Sequence, residues 1–221
     1  MDIAQDDPGP GRRGAPGRPL RDLALFVGAF AGLWGAAVAA AWWQGWLDEA
    51  ARPWFRTALW CLAAAAWIRW QRTDRPFAWL GLGPVTARAA AKAAIAFAAV
   101  LGWNMLRVAV LGASAGGLAG WPPAAYAWSL VGVAVEELVF RGVIQTRLGE
   151  HTPAAVAITA SSLLFLGIHV PGWIMLGIRV DAMIVVSVFL IGALCGRLRH
   201  RSRSLWPAVA AHWAKNLGAQ L

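Results

Sequence analysis

Charged residues are scarce in this chain, and that scarcity restricts its class. Of the 221 residues, 14% are Asp, Glu, Lys or Arg, whereas 59% are hydrophobic. A soluble domain is typically about 25% charged and about 45–50% apolar. A single soluble core of this size cannot bury so much apolar surface, so the composition excludes an ordinary soluble domain, a disordered protein and a fibrous repeat. It predicts a protein that crosses a lipid bilayer several times.

Cysteine and common zinc-binding motifs are also lacking. The two cysteines, Cys61 and Cys195, lie inside apolar runs, and the sequence contains neither CxxC nor HExxH. The cysteines are therefore interpreted as small buried hydrophobic residues, and a disulfide framework is excluded. The formal net charge is +9, but the basic residues mostly stand between apolar runs, so we expect no nucleic-acid partner.

Apolar runs predict an all-α, polytopic bundle of about seven transmembrane helices in one domain, the second being the least certain. The runs cover about residues 23–46, 54–70, 88–111, 127–148, 153–169, 182–197 and 204–219. The first run is longer than the ~7–15 residues of a signal-peptide core, so it is interpreted as a retained span. A short apolar stretch at 173–178 is interpreted as a half-turn or re-entrant piece.

The basic residues predict the orientation of this bundle. If seven helices alternate in direction, one side of the membrane receives most of the arginines, namely Arg12, Arg13, Arg18, Arg21, Arg69, Arg72, Arg75, Arg147, Arg197, Arg199, Arg201 and Arg203. Cytoplasmic loops carry an excess of positive charge. The pattern therefore predicts a cytoplasmic amino terminus and an external carboxy terminus.

Three predicted helices carry polar residues at membrane depth, where an ionisable group costs on the order of 2.5–3.5 kcal/mol on insertion scales. They are Glu136, Glu137 and Arg141 in the fourth helix, His169 at the end of the fifth, and His212, Lys215 and Asn216 in the seventh. Glu137 and Arg141 are four residues apart and can pair on one helix face. Glu136 lies about 100° further round the helix and is expected to point elsewhere.

This set of groups is suited to the hydrolysis of a peptide bond. A carboxylate withdrawn from water can act as a general base, imidazoles can orient the attacking water, and a carboxamide can complete an oxyanion site. Glu136, His169 and His212 could instead bind zinc, since two His and one Glu form a known catalytic zinc set. Other interpretations stay open: a structural ion pair, a capping histidine, helix–helix hydrogen bonds, or a proton-coupled transporter, although no inverted hydropathy halves are visible.

Three motifs in this region resemble those of a known family. EELVFRG, residues 136–142, resembles the EExxxR motif of the CAAX-protease and bacteriocin-processing (CPBP, also called Abi) intramembrane proteases. FLGIH, residues 165–169, resembles their FxxxH motif, and HWAKN, residues 212–216, resembles their HxxxN/D motif. The motifs follow the family's order on separate predicted helices, and the resemblance covers about residues 120–221.

The resemblance implies an intramembrane endopeptidase that uses a glutamate-activated water. Glu136 would be the base, and Glu137 and Arg141 would support it. Because HExxH is missing, a glutamate-type enzyme without a cofactor is favoured over a zinc enzyme. The partner would be a membrane-anchored protein or peptide, cut near its membrane-anchored or C-terminal segment.

The resemblance also implies roles for the two histidines and the asparagine. His169 would help to position the water, and His212 and Asn216 would form the oxyanion site. Straight-helix arithmetic at ~1.5 Å per residue puts Glu136, His169 and His212 roughly 18, 24 and 12 Å from the cytoplasmic ends of their helices. Those depths do not coincide, so tilted helices, different helix boundaries or a funnel-shaped cavity are needed to bring the three together.

Domain organisation, location and substrate complete the expectations. Residues 1–22 are expected to be a disordered cytoplasmic tail, 23–120 the N-terminal transmembrane helices, and 121–221 the catalytic helices. The composition, rich in Ala, Arg, Trp and Gly, is typical of a GC-rich bacterium, which favours a multi-pass protein of a bacterial inner membrane. The resemblance to bacterial members of the family implies that it processes C-terminal sorting tags. The alternative is a non-catalytic bacteriocin-immunity or partner-binding protein of the same fold.

Overall fold

The structure is a computed structural model that describes residues 18–45, 51–111, 122–175 and 177–218. Every regular element in these ranges is helical: α1 Arg18–Gln44, α2 Ala51–Gln71, α3 Pro76–Leu80, α4 Ala87–Leu111, α5 Pro123–Glu137, a π-helical segment Leu138–Gln145, α6 Thr146–Gly149, α7 Ala154–Gly167, α8 Val170–Met175, α9 Ala182–Ser202 and α10 Trp206–Gly218. The all-α bundle expected from the apolar runs is confirmed.

Several of these helices are long and apolar enough to cross a membrane. Within the described ranges there are four such segments, Pro19–Gln44, Ala87–Val110, Ala154–Met175 and Ala182–Ser202. By contrast, α10 has 13 residues, about 20 Å of helix at ~1.5 Å per residue, against a hydrocarbon core of ~30 Å. The chain is therefore a multi-pass membrane protein in which at least one helix of the bundle is too short to span the bilayer by itself.

A continuous rod formed by α5, the π-helical segment and α6 runs through the bundle from Pro123 to Gly149. Proline at its start fits the first helical position, where the missing N–H leaves no partner unsatisfied. The π-helical segment follows Glu137 directly, and seven of its eight residues are buried. Such wide turns are rare and occur frequently at functional sites. This rod presents the paired glutamates at about the middle of its length.

The apolar core lies between the rod and the helices around it. Trp60 of α2, Phe140 of the π-helical segment and Phe165 of α7 are buried, and their rings follow one another edge to face at 5.9 and 5.3 Å. Such aromatic pairs stabilise a core beyond the area that they bury. On the other side of the bundle, α10 packs mainly against α4 and α9. The core therefore places α7 and α10 on either side of the glutamates.

Several polar contacts gather at one end of the bundle, here called the basic end and defined by Gln71, Trp79, Lys92, Arg147 and Arg201. Arg147 donates to Oε1 of Gln71 at 2.9 Å, and Lys92 donates to the backbone oxygen of Arg201 at 3.0 Å. Trp79 donates from its indole to Glu150 at 2.6 Å. These contacts join the end of α2, α3, the start of α4, α6 and the end of α9, which are the loops in which the sequence concentrates its arginines.

Some helix boundaries differ from the sequence expectations. Helix α9 was expected to end near 197 but continues to Ser202. The reason is that Arg199, interpreted from sequence as a loop residue, is buried and donates to the backbone oxygen of Trp79 at 2.9 Å. The half-turn expected at 173–178 is replaced by α8, which starts at Val170. The short helix α3 was not predicted.

Two further expectations also need correction, the extent of the N-terminal tail and the start of the fourth helix. The disordered tail expected at 1–22 lies outside the described residues up to 17, and residues 18–22 belong to α1. Of the connector expected before the fourth helix, residues 112–121 lie outside the described part. The fourth helix itself begins at Pro123 and not near 127.

Candidate active site

Glu137 is held inside the bundle by two partners. Nη1 of Arg141 donates to its Oε1 at 3.1 Å, and both side chains are fully buried. Nδ1 of His212 lies 2.8 Å from the same oxygen. The other terminal nitrogen of Arg141 donates to the backbone oxygen of Gly192 at 2.9 Å. The pairing of Glu137 with Arg141 expected from their spacing is therefore present, and it connects the rod to both α9 and α10.

Glu136 points in a different direction from Glu137, as its position on the helix predicts. Its residue surface is 8% exposed. Its Oε1 accepts a hydrogen bond from Nη1 of Arg56 at 3.0 Å, and its Oε2 lies 3.8 Å from Nε2 of His212. The second distance is too long for a direct hydrogen bond, and contacts of this length are commonly bridged by a third polar group. Glu136 therefore has one oxygen committed to a cation and one directed towards an imidazole.

Phe165 organises the aromatic side of the site. Its ring lies edge to face against His169 and His212, with centroid distances of 4.7 and 5.4 Å. The guanidinium carbon of Arg141 lies 4.5 Å from the centroid of the same ring, within range of a cation–π interaction. Phe165 and His169 are four residues apart, a spacing that puts two side chains on one helix face. The same ring contacts both imidazoles.

His169 is placed at the junction of α7 and α8. Its Nδ1 lies 2.7 Å from the backbone oxygen of Phe165. A carbonyl oxygen only accepts, so Nδ1 carries the proton and Nε2 of the neutral ring is an acceptor. The ring of His169 contacts Phe165, whose ring also contacts His212. The structure thus brings both imidazoles to one aromatic side chain.

The depths calculated from straight helices did not predict the approach of His212 to Glu136. Those depths differ by roughly 6 Å, a difference that two long side chains can bridge, and the side chains approach to 3.8 Å. The start of α10 is joined to the residues that follow α3. Leu205 is 1% exposed, and its N–H donates to the backbone oxygen of Gly81 at 2.9 Å.

Asn216 is less closely integrated than the other expected site residues. It is half-buried on α10, one turn beyond His212, and within the described ranges no hydrogen bond links it to the two glutamates or the histidines. The structure therefore places Asn216 on the same helix as His212, and within the described ranges no contact fixes its carboxamide.

Arg56 belongs to the site but was missed as a site residue. In the sequence it only interrupts the second apolar run, and its partner Glu136 lies 80 residues away. A charge inside an apolar helix is itself a signal of function, but nothing in the spacing identifies the partner. Gly132 provides the room for the contact, because a Cβ atom at that position would collide with the guanidinium of Arg56.

The set considered for zinc from sequence, Glu136, His169 and His212, is not grouped as metal ligands in the structure. Within the part of the chain that the structure describes, no group of three or more His, Cys, Asp and Glu side chains is arranged to hold a metal ion. Oε1 of Glu136 accepts from Arg56 instead. The partners of His169 and His212 lie at Nδ1, namely a backbone oxygen and Glu137, and leave Nε2 of each ring available.

A comparison with protein families covers the part of the chain that holds the paired glutamates and both histidines. Residues 117–218 match the model of a family described as type II CAAX prenyl endopeptidase Rce1-like. This part of the chain is an Rce1-like domain. The match includes all three motifs and confirms the resemblance to the CPBP proteases. Comparison of the chain with curated proteins and with solved structures found no match. The Rce1-like family implies an intramembrane protease with a membrane protein as its substrate.

Most residues of the site lie inside the Rce1-like domain, and Arg56 lies outside it. The rod and α7 to α10 lie inside residues 117–218, so Glu136, Glu137, His169 and His212 all come from the domain. Arg56 comes from α2, which lies outside it. The first part of the chain therefore supplies a direct partner of Glu136, the more accessible of the two paired glutamates.

Proposed function

We propose that the protein is a glutamate-type intramembrane endopeptidase, with Glu136 as the base that activates water. The observation that carries the proposal is the arrangement of its carboxylate. Oε1 is tied to Arg56, and Oε2 is directed at Nε2 of His212 across 3.8 Å. A carboxylate that is almost withdrawn from solvent and faces an imidazole is suited to hold and deprotonate one water molecule.

The proposed reaction proceeds without a covalent intermediate. Glu136 takes a proton from the water, and the resulting hydroxide adds to the carbonyl carbon of the scissile peptide bond. His169 positions the water. Asn216 stabilises the oxyanion together with His212, whose ring carries a proton on Nε2 as well as on Nδ1 in this step. The protonated Glu136 then gives its proton to the leaving amine as the carbon–nitrogen bond breaks, which restores the carboxylate. Glu137 and Arg141 act by holding His212.

The substrate in this proposal is a membrane protein cut near its membrane-anchored or C-terminal segment. An apolar groove of about 290 Å³ begins beside His169 and is lined by residues that include Leu166, Val170 and Trp173. Such a groove fits the apolar side chains of a membrane-embedded segment next to the scissile bond. Processing of C-terminal sorting tags in a bacterial inner membrane is the setting that we propose.

The test compares the C-termini of membrane proteins in source cells that express either the wild type or Glu136→Gln. Mass spectrometry is expected to find one or a few proteins that keep an uncleaved C-terminal segment in the variant alone. Removal of a general base typically lowers the rate by about 10²–10⁴-fold, enough for uncleaved precursor to accumulate. Glu150→Gln is the matched control, because Glu150 is exposed at the basic end.

Two identical C-terminal profiles, from cells with equal amounts of folded wild type and variant, would contradict the protease proposal. They would favour a non-catalytic protein of the same fold, which acts by binding a partner. Accumulation of the same precursor in the Glu150→Gln control would show that the effect does not depend on the site.

A further inference from the structure

Arg56 is an unusual residue at its position. It lies in an apolar part of α2, and its side chain is 34% exposed, whereas the side chain of Arg141 is fully buried. An arginine at membrane depth is expensive unless it is paired or faces a polar cavity. Arg141 is enclosed by partners on several sides. Arg56 is therefore the guanidinium next to Glu136 that a ligand can reach.

The pairing of Arg56 with Glu136 uses one of its N–H groups, as far as the described residues show. Only Nη1 contacts Glu136, and it contacts only Oε1, since Oε2 is turned towards His212. Strong arginine–carboxylate pairs are frequently bidentate. Among the described residues, Glu136 is the one acceptor that Arg56 has. A guanidinium carries five N–H donors, so the edge that faces away from Glu136 can bind a second anion.

The surrounding helix is shaped to keep the guanidinium in place. Gly132 lies one turn before Glu136 on the same face of α5. A Cβ atom at Gly132 would occupy the position of Nη2 of Arg56. The absence of a side chain there lets the arginine lie flat across α5 beside the carboxylate. The packing thus fixes where a second anion would be held, which is next to the water-activating group.

From these observations we infer that Arg56 recognises a carboxylate of the substrate close to the scissile bond. This inference rests on the proposed function. When Glu136 accepts the proton of the water it becomes neutral, and Arg56 loses its counter-charge. A substrate carboxylate on the free edge of the guanidinium compensates that charge throughout the reaction. An extended chain advances at most ~3.3–3.6 Å per residue, so the carboxylate lies within a few residues of the cleaved bond.

Two sources can supply this carboxylate, the free C-terminus of the substrate or an Asp or Glu side chain. The probes that separate them are fluorescent, membrane-partitioning peptides made in matched pairs. One set has a free or an amidated C-terminus. The other set has an amidated C-terminus and carries either Asp or Asn near its centre. Binding is measured by anisotropy to the full chain in nanodiscs, in the Glu136→Gln background so that no peptide is consumed.

In at least one set, the peptide with the carboxylate is expected to bind more tightly than its neutral partner. Hydrogen bonds to a charged group correspond to roughly tenfold to hundredfold in affinity. We expect the ratio of affinities, acid over neutral, to fall to about one when Arg56→Gln is added, and to be partly restored by Arg56→Lys. Arg69→Gln, on the exposed basic end of α2, is the control and should keep the preference.

Equal binding of acid and neutral peptides in both sets would overturn the inference, and so would a preference that survives Arg56→Gln. A purely structural ion pair predicts that Arg56→Gln weakens both members of a pair equally, and thermal unfolding of each variant shows whether the fold is kept. Cleavage of the same peptides by the wild type tests the proposed function separately. Acid-selective binding without cleavage would contradict the protease, whereas cleavage without acid preference would contradict the role of Arg56.

Discussion

Nδ1 of His212 lies 2.8 Å from Oε1 of Glu137, the same oxygen that accepts from Arg141. Because a carboxylate that is paired with an arginine is an acceptor, the imidazole donates from Nδ1. Its other ring nitrogen, Nε2, is thereby directed at Glu136. Glu137 and Glu136 are neighbours in sequence, yet one fixes the ring and the other meets its opposite side. The division of roles between the two glutamates follows from this single imidazole.

Replacement of Glu137 by Gln is expected to damage the fold as well as activity. Arg141 is fully buried, and removal of one partner from a buried ion pair typically costs about 3–5 kcal/mol. The measurement is the apparent melting temperature of the purified protein in nanodiscs. Glu150→Gln is the control, since its exposed pair with Arg147 is worth at most about 1 kcal/mol. An unchanged melting temperature for Glu137→Gln would contradict the structural role of the pair.

Gly196 is expected to tolerate no side chain. A Cβ atom there would lie 2.7 Å from Oε1 of Gln145 and 3.0 Å from a side-chain carbon of Ile158. Overpacking of a filled interior typically costs about 1–3 kcal/mol, so Gly196→Ala should lower the melting temperature. Gly28→Ala is the matched variant, because nothing lies within 4 Å of a Cβ atom at that helical position. It should leave the temperature unchanged or raise it, and equal losses in both variants would contradict the packing at α9.

Chelators are expected to leave the activity of the purified protein intact. Oε1 of Glu136 is paired with the cation Arg56, which competes with a metal ion for that carboxylate. The measurement is cleavage of a substrate peptide before and after dialysis against 1,10-phenanthroline, with its non-chelating isomer as control. Loss of activity with the chelator alone, and recovery on addition of zinc, would establish the metal-dependent alternative.

The basic end is expected to face the cytoplasm. Its loops collect the arginines that flank the helices, and positive charge is retained on the cytoplasmic side. In a Cys61→Ala background, a cysteine at exposed Asp74 should react with an impermeant maleimide only after cells are opened. A cysteine at exposed Arg179, beyond α8, should react in intact cells. The reverse labelling pattern would invert the predicted orientation.

The sequence predicted the core of the site because charged groups are conspicuous in apolar helices. Glu136, His169 and His212 were found by that criterion, and the spacing of Glu137 and Arg141 predicted their ion pair. Helix periodicity also separated the directions of the two glutamates. These predictions depend on neighbours within one helix, for which sequence spacing and spatial distance are closely related.

The same reasoning could not predict contacts between residues of different helices. The contact of Arg56 with Glu136 joins residues 80 positions apart, and nothing local marks them as partners. The approach of His212 to Glu136 at 3.8 Å depends on how α10 packs against the other helices, which straight-helix depths do not contain. The sequence likewise does not distinguish the π-helical segment Leu138–Gln145 from a continued α-helix.

The shortness of α10 has a consequence for biogenesis. A helix of 13 residues is below the ~17-residue minimum for spanning the bilayer, so the insertion machinery cannot hold it as an independent span. It becomes stable only by packing against α4 and α9, both of which precede it in the chain. His212 is therefore expected to reach the two glutamates only after α4 and α9 are in place. Until α10 has packed, the inserted protein is expected to lack the contacts of the imidazole with the glutamates.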